Sequence, residues 1–250
     1  GQGKNSTVHE EALMAVGAMA QATGPKFEQY APHFMPFLKI GLSNFQEAHV
    51  CFVAVGVVSD CCRAIEEKML VYCDEIVHFL LQDLQNPLIK RDVKPAILST
   101  FADVALAIKD QFIRYLPAVM SMLSQAAQTQ VDGKDADMVD YLNQLRAAIF
   151  EAFTGIVQGL RVEGQAHPFA PYVDSVMMFV EHVTNDMNRT DEVTSSAVSL
   201  LGDMAMALRN EMVAHRNKPY VQHLLTVASN STSEETVKQA KWALLELGKA

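Results

Sequence analysis

Asp60 stands directly ahead of Cys61 and Cys62 in the otherwise apolar stretch HVCFVAVGVVSDCCRAIEEKM, residues 49–69. An acid beside two thiols is the residue set of a metal site or of an activated nucleophile. The spacing argues against both. Adjacent residues on a helix diverge by about 100°, so Cys61 and Cys62 cannot converge on one ion, and Cys51 and Cys73 add no CxxC pair. The expectation is four small buried apolar residues in a reducing compartment and no metal. The eight histidines are scattered, and His9-Glu10-Glu11 lacks the second histidine of an HExxH motif. Neither a glycine-rich phosphate loop nor a GxSxG elbow is present. No enzyme and no cofactor are expected.

The elements around Asp60 recur. The interval 50–60 is matched by VKPAILSTFAD at 93–103 and by VTSSAVSLLGD at 193–203. Weaker copies, EEALMAVGAMA and RAAIFEAFTG, end at Ala20 and Gly155. Their end positions 20, 60, 103, 155 and 203 lie between 40 and 52 residues apart, the period of a two-helix solenoid unit. A second apolar segment follows each copy, at 32–42, 72–84, 115–127, 171–183 and 219–229, and EETVKQAKWALLELG closes the chain. In 72–84, Ile76, Leu80 and Leu84 stack at i, i+4 with Val77 and Leu81 beside them, which predicts an amphipathic helix. Gly24-Pro25, Asn86-Pro87 and His167-Pro168 punctuate the breaks. Strand signals are nearly absent, so the expected fold is all-α, an array of antiparallel helix pairs. In that array Asp60, Asp103 and Asp203 are repeat positions, expected to hydrogen-bond the turn and helix start that follow.

Charge narrows the partners. The 29 acidic and 20 basic residues leave a formal charge of −9, which disfavours nucleic acid and favours a basic partner. The short basic run LIKRDVK reads as a solvated turn between helices. Asp135, Asp137 and Asp140 sit near a helix start, where the helix dipole favours carboxylates and where a basic ligand could also be received. No apolar run approaches the ~20 residues that cross a bilayer, so no membrane insertion is expected. The amino end, GQGKNSTVHEE, carries no hydrophobic signal region and reads as a linker running into a helix.

Within the repeats, Pro95, Asp103, Ile108 and Lys109 resemble the HEAT signature of a first-helix proline, an aspartate, an aliphatic residue and a basic one. Asp203, Leu208 and Arg209 match its later part, with Ser195 in place of the proline. At Asp60 and Ile65 the basic residue is replaced by Glu66, so an ionic ladder between repeats would be interrupted there. FLKIGL, VKPAILSTFADVALAI, QVDGKDADMVDYLNQLR, EAFTGIVQGL and KWALLELGK resemble the carboxy-terminal portion of the importin beta (karyopherin beta) family, over essentially the whole chain. The resemblance implies a right-handed α-α superhelix of HEAT repeats. Residues 1–250 would be one solenoid fragment, with units near 8–44, 47–86, 90–129, 136–185 and 191–230 and a terminal helix at 233–248.

The resemblance also implies a nuclear transport receptor of the cytoplasm, the nucleus and the pore complexes of the nuclear envelope. Its inner surface, lined by second helices, would hold the basic helical segment of the adaptor importin alpha, with Asp74, Glu75, Asp83, Asp174 and Glu181 as candidate contacts. Trp242, the only tryptophan, would either cap the core or stack on a cation of that helix. Grooves between first helices would take phenylalanine-glycine (FG) repeats of nucleoporins. Phe52, Val55, Ile97, Phe101, Phe150 and Phe153 are candidates, together with Leu13 and Val16. The GTPase Ran would act mainly through amino-terminal repeats outside these residues. The alternative is a HEAT scaffold for another protein complex.

Overall fold

The computed structural model describes residues 2–44, 46–161 and 167–250. Among the described residues there is no strand. The chain divides into two compact units, Gly1–Met122 and Leu123–Ala250.

The first unit holds α1 (Gln2–Thr23), α2 (Ala31–Leu42), α3 (Ala48–Ile65), α4 (Leu70–Gln85), α5 (Val93–Ile108) and the start of α6 (Leu116–Ala127). The first helices α1, α3 and α5 lie side by side, α3 packing on both neighbours, while α2 packs on α3 and α4. That sandwiching explains the apolar stretch that holds Asp60. A helix covered on several sides needs apolar residues nearly all round, and Val50, Cys51, Ala54, Val55, Val57, Val58, Cys61 and Cys62 are all buried. By length and composition alone the continuous helical run Ala48–Gln85 is apolar enough to cross a membrane, contrary to the expectation from run length, and most of that apolar surface is packed against neighbouring helices.

The turn that ends each first helix repeats in a way the sequence barely signals. Gly24, Glu66 and Lys109 have φ of +53°, 46° and 53°. Each opens a 3-10 turn: Gly24–Gln29, Glu66–Met69 and Lys109–Arg114. Three residues on, Phe27, Met69 and Phe112 plug the core with no exposed surface. Only the first turn uses the glycine that positive φ favours. Pro95 lies in the first turn of α5, where a missing N–H costs no helical hydrogen bond.

Asp60 and Asp103 do not bond the turns that follow them. Gln21 Nε2 donates to Asp60 Oδ1 at 2.7 Å, and Arg63 donates to both carboxylate oxygens of Asp103 at 3.1 and 3.0 Å. Each acid therefore takes its hydrogen-bond donor from the preceding first helix, which lies alongside, and Asp60 has Arg63 of its own helix end 3.8 Å away as well. Lys109 reaches Glu67 at 2.5 Å, one residue past Glu66.

The second unit holds the rest of α6, then α7 (Ala136–Gly159), α8 (Val173–Thr184), α9 (Asp191–Ala207), the short α10 (Arg209–Met212), α11 (Pro219–Ser229) and α12 (Glu234–Lys249). Here α9 packs between α7 and α12, and α11 lies on α8, α9 and α12. Asp135 caps α7, accepting from the backbone N–H groups of Asp137 and Met138 at 3.1 and 3.2 Å, as its place at the helix start suggested. Phe150, Phe153, Phe169 and Phe179 form an aromatic core, with the Phe150 and Phe179 centroids 5.0 Å apart. Asp203 repeats the pattern of the first unit, accepting from Gln158 Nε2 at 3.0 Å, and its burial holds the carboxyl above the usual range. Arg209 opens α10 and carries Met212 into the core three residues on.

Candidate functional site

The buried stripe of each second helix decides which acids reach the surface. In α4, Cys73, Ile76, Val77 and Leu80 face inward, which turns Asp74 and Glu75 to solvent. Both are already partnered within their unit. Tyr115 donates its hydroxyl to Asp74, with the Arg114 guanidinium 3.8 Å away, and Lys39 pairs with Glu75. Asp83 departs from the expectation. It follows Ile76 and Leu80 at i+7 and i+3, so it lies on the inward stripe and is buried. The Cys51 thiol donates to its Oδ2 at 3.7 Å, and burial pushes the carboxyl up to about 6. A side chain so placed is not a surface contact.

In α8 the stripe is Val173, Val176, Met177, Val180 and Val183, leaving Asp174, Met178 and Glu181 outward at i, i+4 and i+7. Asp174 is 92% exposed and meets His215 Nε2 at 2.9 Å. That link spans 41 residues, as does the one from Asp74 to Tyr115, so the same contact with the turn ahead of the next second helix occurs once in each unit. Among the described residues no cation pairs with Glu181. Two grooves flank α8. One, of about 480 Å³, is lined by Asp174, Met178, Glu181, His215, Lys218 and Tyr220. Burial, together with the charges of Glu181 and Asp174, pushes the Tyr220 hydroxyl up to about 12. The other, of about 520 Å³, is lined by Gln128, Phe153, Ser175, Met178, Phe179 and His182 among others, and it holds no acid. Met178, 70% exposed, is the ridge between them.

Trp242 is half-buried. A Cβ on Gly202 would lie 2.2 Å from its ring, so the indole sits directly on the α9 backbone and its packing role is plain.

Of the six phenylalanine-groove candidates, Val55, Ile97, Phe101, Phe150 and Phe153 are core residues with at most 2% exposure. In the first unit α3 is covered by first helices on either side and α5 by α3, which buries Val55, Ile97 and Phe101, whereas Phe150 and Phe153 of α7 are buried against Phe179, with Phe153 at the floor of the groove beside α8. Phe52 alone is open, at 48%. The apolar groove the structure does present lies between α1 and α2, about 430 Å³, lined by Leu13, Val16, Phe34, Phe37, Ile40 and their neighbours. Leu13 and Val16 were legible as first-helix positions. Phe37 and Ile40, 65% and 64% exposed, were not, although PHFMPFLKIGL is apolar on every side, the pattern of a helix with more apolar surface than its own unit can cover.

Burial pushes the thiols of Cys51, Cys61 and Cys73 up to about 12 and that of Cys62 well above its usual value, leaving all four inert as nucleophiles at neutral pH. Among the described residues no group of His, Cys, Asp and Glu side chains could hold a metal.

Comparison with known proteins decides the family. The family model described as importin subunit beta-1-like, TPR repeats, matches residues 1–229. The chain belongs to the importin beta-1-like family. Importin subunit beta-1 of Schizosaccharomyces pombe is 42% identical over 243 residues, and that of Arabidopsis thaliana 38% over 248, each alignment covering 96% of this chain and 28% of the relative. A crystal structure of importin beta in an ammonium sulfate condition superposes with a TM-score of 0.90 at 30% identity, over 96% of this chain and 28% of that one. The importin beta-like chain thus spans a little over a quarter of its relatives' length. A designed armadillo repeat protein, at 16% identity and a TM-score of 0.65, shares the fold alone. The architecture is an all-α HEAT-repeat solenoid, and the family is a non-enzymatic one.

Proposed function

We propose that this chain is the adaptor-holding part of a nuclear transport receptor, with α8 as the centre of its capture surface. The supporting observation is the pair Asp174 and Glu181, exposed on either side of Met178 with an open groove along each flank. Of the exposed acids of α4, Glu75 is paired with Lys39 and Asp74 with Arg114 and the Tyr115 hydroxyl, whereas among the described residues Glu181 has no such cation and Asp174 has only His215. The ligand that fits is the basic helical segment of importin alpha, drawn in by charge and ordered on binding. Asp74 and Glu75 would contribute once their internal partners are exchanged. Trp242 could stack on a ligand cation only with the face not resting on Gly202.

Nucleoporin FG repeats would be held weakly in the α1–α2 groove and beside Phe52, since shallow apolar pockets suit passage better than tight ones. Related yeast chains have been solved as a Kap95:Nup1 complex and with RanGDP. Ran-driven release would be exerted by repeats outside these residues, so this chain should bind adaptor without GTP-sensitive release. Cytoplasm, nucleus and nuclear pore are the corresponding locations. A HEAT scaffold of another complex remains the second reading, because it too would use an acidic second-helix face.

Titration calorimetry of the chain against a peptide carrying the basic importin alpha segment, at two salt concentrations, tests the proposal. Binding should weaken with salt and drop at least about tenfold for the double variant Asp174→Lys, Glu181→Lys. Unchanged affinity in that variant would sink it.

A further inference from the structure

The loop that joins α11 to α12 presents three hydroxyls in a row, Ser231, Thr232 and Ser233, directly ahead of Glu234 and Glu235. The structure gives each a different standing. Ser231 donates to Asp191 Oδ1 at 2.6 Å and accepts from the Ser233 N–H at 3.0 Å. Thr236 donates to the other oxygen of the same carboxylate at 2.7 Å, so Ser231 belongs to a knot that ties the loop to the start of α9. Ser233 is the N-cap of α12 and accepts from the Thr236 N–H at 3.3 Å. Thr232 is exposed at the bend between them, and its hydroxyl has no partner among the described residues.

A hollow of about 350 Å³ lies at this bend, lined by Ser231, Thr232, Glu234, Val237, Lys238 and Lys241. Two lysines against one carboxylate make it a positive spot on a chain of formal charge −9. Among the described residues neither lysine has an acidic partner. The acids that follow the loop do not form a capping box, because the residue three places after the Ser233 cap is Thr236. Their position in the first turn suits the helix dipole, which accounts for the acids but not for the unpaired lysines.

We infer that Thr232 is a phosphorylation site for a kinase that requires a carboxylate three residues after its acceptor, with Lys238 and Lys241 as the receivers of the phosphate. In the transfer, Thr232 Oγ1 bonds to the γ-phosphorus of ATP and the bond from that phosphorus to the bridging oxygen breaks. ADP leaves with the electron pair, and the hydroxyl proton passes to the base of the kinase. The product carries nearly two negative charges and three strong acceptors, and charge-assisted hydrogen bonds to the two ammonium groups brace the loop against α12. Ser231 has Glu234 three residues on, just as Thr232 has Glu235, so the sequence offers the two alike. The fold separates them: a phosphate on Ser231 would lose the bond to Asp191 and then face that carboxylate.

The test incubates the 250-residue chain with ATP and casein kinase II, an acid-directed kinase, and maps the phosphate by tandem mass spectrometry. A synthetic peptide of residues 226–237 is treated in parallel. The peptide should be modified comparably on Ser231 and Thr232, and the folded chain at least about tenfold faster on Thr232. Thr232→Val should abolish incorporation, and Ser231→Ala should leave it in place. In a phosphorus NMR titration, the second ionisation of the phosphothreonine should lie roughly one unit lower in the folded chain than in the peptide. The double variant Lys238→Gln, Lys241→Gln should return it to the peptide value. Both lysines are exposed, so the variant keeps its fold, which circular dichroism verifies. No incorporation into the folded chain, or the same ratio of sites as in the peptide, would overturn Thr232 as the site the fold selects. A titration equal to that of the peptide, or unmoved by the lysine variant, would overturn the lysine receivers.

Discussion

Asp83 and Gly202 carry two residue-scale consequences. The folded-state pKa of Asp83 is raised from 3.8 to about 6 by burial, so the fold binds its proton more tightly than the unfolded chain does. The ionised form costs stability above about pH 6, and the cost is relieved as pH falls through 6 toward the unfolded value. Asp83→Asn keeps an acceptor for the Cys51 thiol and removes the charge. It should raise stability at neutral pH by up to roughly 3 kcal/mol, with a gain that shrinks toward pH 4. Urea unfolding at the two pH values measures both. Gly202→Ala drives a methyl into the Trp242 ring and should cost about 1–3 kcal/mol. Because Trp242 is the only tryptophan, its emission reports the same displacement directly.

At the scale of the element, the turn after each first helix is the device that reverses the chain, and two of its three copies in the first unit place a side chain where φ is positive. Such a backbone costs about 1–3 kcal/mol in a non-glycine residue. Glu66→Gly should therefore raise the melting temperature, by an amount corresponding to about 1 kcal/mol once the added freedom of the unfolded glycine is subtracted. A lower melting temperature would show that the Glu66 side chain contributes more than its strained backbone costs. The helices themselves were largely legible. The periodicity predicted second helices at 32–42 and 72–84, and the structure has Ala31–Leu42 and Leu70–Gln85. The turns were not, because their common feature is a dihedral angle that Glu66 and Lys109 do not advertise.

On the scale of the whole molecule, packing is between sequence neighbours, so a defect should stay close to where it is made. Ile97 is fully buried in α5, and Ile97→Ala should cost about 2–5 kcal/mol. Hydrogen exchange should then accelerate in α5 and in α3 and α4, both of which pack on it, while α9 and α12 keep their protection. Uniform acceleration along the chain would mean that the two compact units unfold as one.

The sequence by itself determined the helical class, the recurrence near Asp60, Asp103 and Asp203, and the resemblance of strings such as VDGKDADMVDYLNQLR to one family. Those are properties of local periodicity and of residue order, and both can be read along the chain. Tertiary structure alone decided the partners. Asp103 takes its donors from Arg63, 40 residues back, because first helices lie side by side. Val55, Ile97 and Phe101 became core for the same reason, and Phe150 and Phe153 by packing on the aromatic side chain of Phe179. The acids of α4 and α8 look alike in sequence, and only the cations brought up from other helices separate a neutralised face from one still open to a ligand.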